Sequence, residues 1–214
     1  EVTIHSCIST LKSILNIAVE RGILLKNPLN GLHLKKIKVR KEFLTLEEVD
    51  KLYNTECDYP EVKRAFLFAC FTGLRLGDII DLQYSNIQDG EIRVMQGKTD
   101  GQVSIPVTDT IMRLLNEAET LNHSGKVFNM PKRTASNNAL KRWIAAAGIT
   151  KKITFHSSRH TFATMLVYYA RDIFTASKLL GHSDVKITQV YAKLIDDAKI
   201  TAMNSIPELR KKGL

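Results

Sequence analysis

Apolar residues at Ile4, Ile8, Leu11, Leu15 and Ala18 recur at the spacing of one helix face, and such a face needs a partner surface. The breaker pairs Asn27-Pro28 and Asn30-Gly31 end that region. Residues 34–41 then alternate apolar with basic and offer no helix cap, which predicts an extended linker. At Thr45 the pattern changes. Thr45 followed three residues later by Glu48 is a capping box, and it predicts a helix to about Tyr53. The next helix, about Glu61 to Phe71, is apolar nearly all round and therefore central to the core; it stops at Gly73, and a short helix from about Leu76 to Leu82 follows. Between Ser85 and Val107 the pattern becomes short β runs at Ile87, Ile92 to Met95 and Val103 to Val107, separated by Asp89-Gly90 and Thr99-Asp100-Gly101. That predicts a small three-stranded antiparallel sheet. After Asp109 the chain reads as helix again, broken at Asn122 to Gly125, near Pro131, at Gly148, at Gly181 and at Pro207. The fold class is mainly α with this one small sheet (α+β).

Composition sharpens the picture by exclusion. With 44% hydrophobic and 25% charged residues over 214 positions, the chain is an ordinary folded protein, sized for one domain plus a fragment of another or for a single large one. The longest apolar run, Ala65 to Phe71, is seven residues, whereas a membrane-spanning helix needs about 20. The start lacks the basic and apolar blocks of a signal peptide, and because it is not methionine a longer parent chain is expected. Three scattered cysteines, Cys7, Cys57 and Cys70, make neither a disulfide framework nor a thiolate metal site, so a reducing cytoplasm is expected.

Charge points toward a partner. Lys plus Arg number 31 against 22 Asp plus Glu, a net charge of +9 and a pI near 9.5. From Arg21 to Lys41 there are seven basic residues and no acidic one, and basic pairs recur at Lys132-Arg133, Lys141-Arg142 and Lys151-Lys152. Patches of this kind bind phosphate backbones through counterion release, which makes Lys35, Lys36, Lys38, Arg40 and Lys41 candidates for backbone contacts; a solvated connector is the plainer alternative.

Some residues look chemically expensive where they stand. A helical projection puts Arg159 on one stripe with Phe162, Ala163 and Leu166, burying a guanidinium among apolar neighbours. Such a charge needs an anion, either a carboxylate of the protein, the commoner solution, or a phosphate from outside. His156 and His160 are four apart, the spacing of a helical zinc pair, yet no glutamate lies between them and nothing nearby completes a ligand set, so no metal is expected. Arg75 sits just past the Gly73 break, with Asp78 three residues on to pair with its fork. Gly181 suits a helix stop and Ser183 a new N-cap, which holds His182 in a corner. Tyr191, on a stripe with Ile187, Leu194 and Ile195, reads by periodicity as a core tyrosine.

Taken together, Thr72-Gly73-Leu74-Arg75-Leu76-Gly77-Asp78, Lys98-Thr99 beside a β turn, His156-Ser157-Ser158-Arg159-His160-Thr161-Phe162-Ala163-Thr164, Leu179-Leu180-Gly181-His182-Ser183, and Tyr191 nine residues beyond His182 resemble the tyrosine recombinase (phage integrase-like) family in order and spacing. Ser158 departs from the pattern, since many relatives carry an apolar residue there. The resemblance implies a helical catalytic domain over residues 44–214, a C-terminal helical remnant of a core-binding domain over 1–34, and a basic linker over 35–43. It implies Tyr191 as the nucleophile forming a 3′-phosphotyrosine, Arg75 and Arg159 as phosphate clamps, His182 as a further hydrogen-bond donor, Lys98 as the acid for the leaving 5′ oxygen, and His156 as the proton acceptor or at least an aid to it, with Asp78 and His160 in support. It implies no cofactor and no metal. The expected partners are double-stranded DNA and, on synapsed DNA, three further copies joined through the C-terminal segment, with Ile200, Met203 and Ile206 as the docking face; the free protein is expected to be a monomer in a prokaryotic cytoplasm, associated with DNA. The alternatives are a catalytically silent DNA-binding regulator of the same fold and a metal-dependent nuclease built on His156, His160 and His182; a basic helix-turn-helix transcription factor finds no support in the spacing.

Overall fold

Helix α1 (Val2–Glu20) forms where the apolar period begins, and the chain after it is tied back by one side chain. Asn27 is 4% exposed. Its amide donates to the Lys12 carbonyl at 3.0 Å and to Asn16 Oδ1 at 2.5 Å, while its own Oδ1 accepts from the Leu29 amide at 2.8 Å. The residue that reads as a breaker is therefore a buried anchor. Ile4, Leu11, Ile14 and Ile17 stay exposed on α1. A computed structural model describes residues 2–32, 41–96, 101–117, 125–170, 172–181 and 191, and the chain divides into two units, Glu1–Arg40 and Lys41–Leu214.

The second unit opens with the capping box. The Thr45 amide donates to Glu48 Oε2 at 2.8 Å and the Glu48 amide to Thr45 Oγ1 at 3.3 Å, which starts α2 (Leu46–Tyr53). Helix α3 (Pro60–Thr72) begins with proline at its first position and is buried on nearly every side from Val62 to Cys70. Around it pack α4 (Leu76–Asp81), α5 (Asp109–Asn116), α6 (Arg133–Ala146) and α7 (Phe155–Ala170). Phe66 of α3 meets Trp143 of α6 and Phe155 of α7 edge to face, with centroids 6.0 and 5.6 Å apart.

The sheet is three-stranded and antiparallel, in the order β1 (Ile87–Gln88), β2 (Glu91–Gln96), β3 (Gly101–Pro106). Ile92 pairs with Ile87 on one side and Ile105 on the other, and Val94 with Val103. Asp89 and Gly90 both take positive φ, 53° and 74°, the two-residue turn whose twist suits a hairpin. A further helix, α8 (Ile173–Leu179), follows a break between α7 and α8 that carries neither glycine nor proline. Asp172 makes it: Oδ1 accepts from the Phe174 and Thr175 amides at 2.8 and 3.2 Å. No helix among the described residues is long and apolar enough to cross a membrane.

One buried cation holds the core together. Arg64 of α3 is 5% exposed and grips Glu61 with two bonds of 2.9 Å. The same guanidinium donates to the carbonyls of Leu114 at 3.2 Å and Val127 at 2.5 Å, and stacks 4.4 Å from the Phe128 ring centroid. Replacing it strands a carboxylate and two buried carbonyls. Arg64→Met should lower the free energy of unfolding by about 2–4 kcal/mol in urea titrations, and Arg64→Lys, which keeps the charge but loses the fork, by less.

Candidate active site

Helix α3 ends at Gly73, where φ is +68°, and the position tolerates no side chain. A Cβ there would run into the Phe162 ring of α7, 2.8 Å from Cε1. This left-handed turn aims the Gly73 carbonyl at α7, where it accepts from Arg159 Nη1 at 2.7 Å. Arg159 Nη2 donates to the Leu180 carbonyl, just past the end of α8. One guanidinium thus joins three helices.

Arg159 is 3% exposed, and among the described residues no carboxylate lies within ion-pair distance of it. Burial, followed by the positive charge of Arg75, pushes its guanidinium down to about 10, against the opposing pull of Tyr191 and Asp78. The internal salt bridge that would be the commoner solution is therefore not made among these residues. Arg75 stands at the N-cap of α4. Asp78 accepts from its backbone amide at 3.0 Å, so the carboxylate fixes where α4 begins, a different bond from the fork pairing that the spacing suggests.

Tyr191 is 2% exposed and belongs to a second apolar cluster with Phe162, Ala163, Val167, Ala176 and Leu180. Burial raises its phenol above the ordinary tyrosine value, and Arg159 opposes that rise. Its hydroxyl lies 2.6 Å from His160 Nδ1. His156, one turn earlier on α7, meets the His160 ring edge-on with centroids 4.6 Å apart. Lys41 Nζ lies 5.3 Å from the Tyr191 ring centroid.

α7 is well anchored where it carries these groups. Thr161 Oγ1 donates to the Ser157 carbonyl at 2.9 Å and accepts from the Leu44 amide at 3.0 Å. Ser158, the departure from the family pattern, is fully buried and donates to the Phe155 carbonyl at 2.6 Å, so its hydroxyl is satisfied within its own helix. Beside Arg75, His156 and Arg159 opens a cleft of about 1410 Å³, also lined by Arg93, Arg133, Lys141 and Lys152. Three of these four belong to the basic pairs of the sequence; Arg93 carries no such signal.

The structure thus brings Arg75, Asp78, His156, Arg159, His160 and Tyr191 into one neighbourhood and adds Lys41 over the tyrosine ring. Lys98, His182, Lys35, Lys36, Lys38 and Arg40 lie outside the described residues. So do Ile200, Met203 and Ile206. Among the described residues no three His, Cys, Asp or Glu side chains come together as a metal site would require.

Residues 42–197 match the model of the phage integrase family. A tyrosine recombinase of Thermosipho africanus is 28% identical over 217 residues, which covers 96% of this chain and 76% of that protein. Among solved structures, a lambda integrase (75–356) dimer bound to a COC′ core site superposes with a TM-score of 0.71 at 26% identity, covering 84% of this chain and 71% of that one. A lambda integrase tetramer bound to a Holliday junction shares the fold with a TM-score of 0.72 at 24% identity, over 86% and 57% of the two chains. With the family model spanning most of the length and the Gly73, Arg159 and Tyr191 neighbourhood assembled around α7, the chain belongs to the phage integrase family, the tyrosine recombinases, which break and rejoin DNA.

Proposed function

We propose that this chain carries out site-specific DNA recombination through a covalent 3′-phosphotyrosine at Tyr191. The observation that carries the reading is Arg159: a buried guanidinium next to a second one and to a tyrosine, with no carboxylate in ion-pair distance among the described residues. A like charge beside a buried guanidinium raises its energy, and an external phosphate relieves Arg159. Tyr191 Oη attacks the phosphorus, the bond from phosphorus to the 5′ oxygen breaks, and a free 5′-hydroxyl is left. Arg75 and Arg159 hold the non-bridging oxygens as negative charge builds on the five-coordinate phosphorus, with His182 as a further donor. Lys98 protonates the departing oxygen, and an α7 histidine takes the phenol proton. The phosphotyrosine keeps the energy of the ester, so a 5′-hydroxyl from a second duplex reverses the attack, and two rounds exchange strands without metal or nucleotide.

The remaining parts follow from the same reading. The cleft cations Arg93, Arg133, Lys141 and Lys152, and the linker residues Lys35, Lys36, Lys38, Arg40 and Lys41, contact the DNA backbone. Residues 1–34 are the end of a core-binding domain, 35–43 the linker and 44–214 the catalytic domain. Like the lambda integrase tetramer on its Holliday junction, four copies assemble on two duplexes, here through the segment after Tyr191 with Ile200, Met203 and Ile206 docking on a neighbour. The protein works on DNA in a prokaryotic cytoplasm.

Incubation with a nicked half-site duplex followed by denaturing electrophoresis tests the chemistry. The parent should give a covalent adduct, Tyr191→Phe none, and excess EDTA should leave the parent's adduct unchanged; loss of cleavage in EDTA would favour a nuclease, and DNA binding without adduct a silent regulator. Arg159→Lys, which keeps a charge but loses the planar fork, should slow single-turnover adduct formation about 10²–10³-fold. The raised phenol of Tyr191 also fixes a linkage sign. Below about pH 10 folded and unfolded chains both keep this proton; as pH rises further the unfolded chain releases it first, and stability falls. Tyr191→Phe should therefore lose less stability than the parent as pH rises above about 10, measured by urea midpoints at each pH.

A further inference from the structure

On the reading proposed above, Tyr191 must lose its proton as it attacks, and the family resemblance points to His156 as the acceptor. The distances separate the two histidines of α7. His160 Nδ1 is 2.6 Å from Tyr191 Oη, within hydrogen-bond reach of the reacting oxygen. His156 instead presses edge-on against the His160 ring, with centroids 4.6 Å apart at 83°. Exposure favours the same group: Tyr191 is shut off from solvent, whereas His160 is partly exposed, so a proton on its ring can reach water. The helix beneath it is fixed on both sides, by Arg159 bonded to Gly73 and by Thr164 Oγ1 donating to the His160 carbonyl at 2.8 Å.

We propose that His160 takes the Tyr191 proton during cleavage and returns it on religation, with His156 a positioning residue that braces the His160 ring. The Tyr191 O–H bond breaks with its electron pair left on oxygen, and its proton moves to Nδ1, making an imidazolium. The new O–P bond forms as the bond from phosphorus to the 5′ oxygen breaks, its pair leaving on that oxygen, which takes a proton from Lys98. Religation runs every transfer backward.

The test is single-turnover adduct formation by the whole chain on the nicked half-site, with His160→Asn, His160→Ala and His156→Asn. Asparagine sets a hydrogen-bonding atom near the place of Nδ1 but does not hold the proton. Both His160 variants should shift the half-site in a gel as the parent does, yet form adduct about 10²–10³-fold more slowly. His156→Asn should stay within about tenfold of the parent. Imidazole added to His160→Ala should restore part of the rate. A half-site whose 5′ bridging oxygen is replaced by sulfur, a leaving atom that needs no proton, should leave the His160 defect in place. His160→Asn reacting at the parent's rate overturns the inference, and so does its full rescue by the sulfur substrate, which would put His160 on the leaving-group side. If His160→Asn melts early, the imidazole response of His160→Ala decides: rescue supports the role and none overturns it. A parent that forms no Tyr191 adduct sinks the recombinase reading and this inference together, whereas an active parent with an equally active His160→Asn sinks the inference alone.

Discussion

A single guanidinium bonded to two helix-end carbonyls organises this catalytic unit. Arg159 donates to the carbonyl of Gly73 at the end of α3 and to that of Leu180 at the end of α8. Carbonyls at helix C-termini carry the partial negative charge of the helix dipole. They stabilise a buried cation without neutralising it, which a carboxylate in contact would do. The side chain is thus held in place at 3% exposure while its full charge remains available, and only two of its five N–H donors are committed to those carbonyls. Gly73 makes this possible twice over, since its φ of +68° turns the carbonyl toward α7 and its missing Cβ leaves room for the Phe162 ring.

Tyr191 is referenced to the same helix. Arg159 and His160 are consecutive on α7, so their side chains leave the axis about 100° apart; one reaches the ends of α3 and α8, the other the hydroxyl of Tyr191. α7 is in turn pinned to the core by Phe155 against Phe66 and to the chain's entry by Thr161 under the Leu44 amide. On the proposed mechanism, charge clamp and attacking oxygen therefore share one frame, which matters because a displacement of about 1 Å at a reacting centre can cost 10²-fold in rate. The buried Ser158 shows how little that frame demands of its other positions, since it satisfies its own hydroxyl on the Phe155 carbonyl.

What the sequence shows of this fold is mostly what neighbours along the chain decide. The Thr45 and Glu48 capping box, the Asp89-Gly90 hairpin and the left-handed stops at Gly73 and Gly181 are set within four or five residues, and each stands where the pattern predicts. The break before α8 was not legible, because Asp172 marks it with no glycine or proline and any aspartate in a helical run looks much the same. Arg64 was missed for a different reason: beside Glu61 it resembles a surface pair, and its burial depends on carbonyls 50 and 63 residues away. For the site, the helical stripe of Arg159 announced its burial but not its acceptors, which come from two other helices. Asp78 was read as a partner for the Arg75 fork because spacing is all that a sequence offers; the start of α4 gives its carboxylate a backbone amide instead. Lys41 over the Tyr191 ring joins residues 150 apart, beyond any local rule.

The electrostatics of the free protein and the proposed chemistry rest on one cause. Burial lowers the proton affinity of Arg159, and Arg75 lowers it further. The folded chain thus holds Arg159 buried beside a like charge, with no carboxylate in ion-pair distance of it among the described residues. An anion placed beside Arg75 and Arg159 gains from both charges without waiting for side chains to gather. The gain is largest for the species with most negative charge on its equatorial oxygens, which is the five-coordinate phosphorus and not the starting diester. On the proposed mechanism the raised phenol of Tyr191 fits the same logic, because burial keeps the hydroxyl neutral until a phosphate lies beyond it.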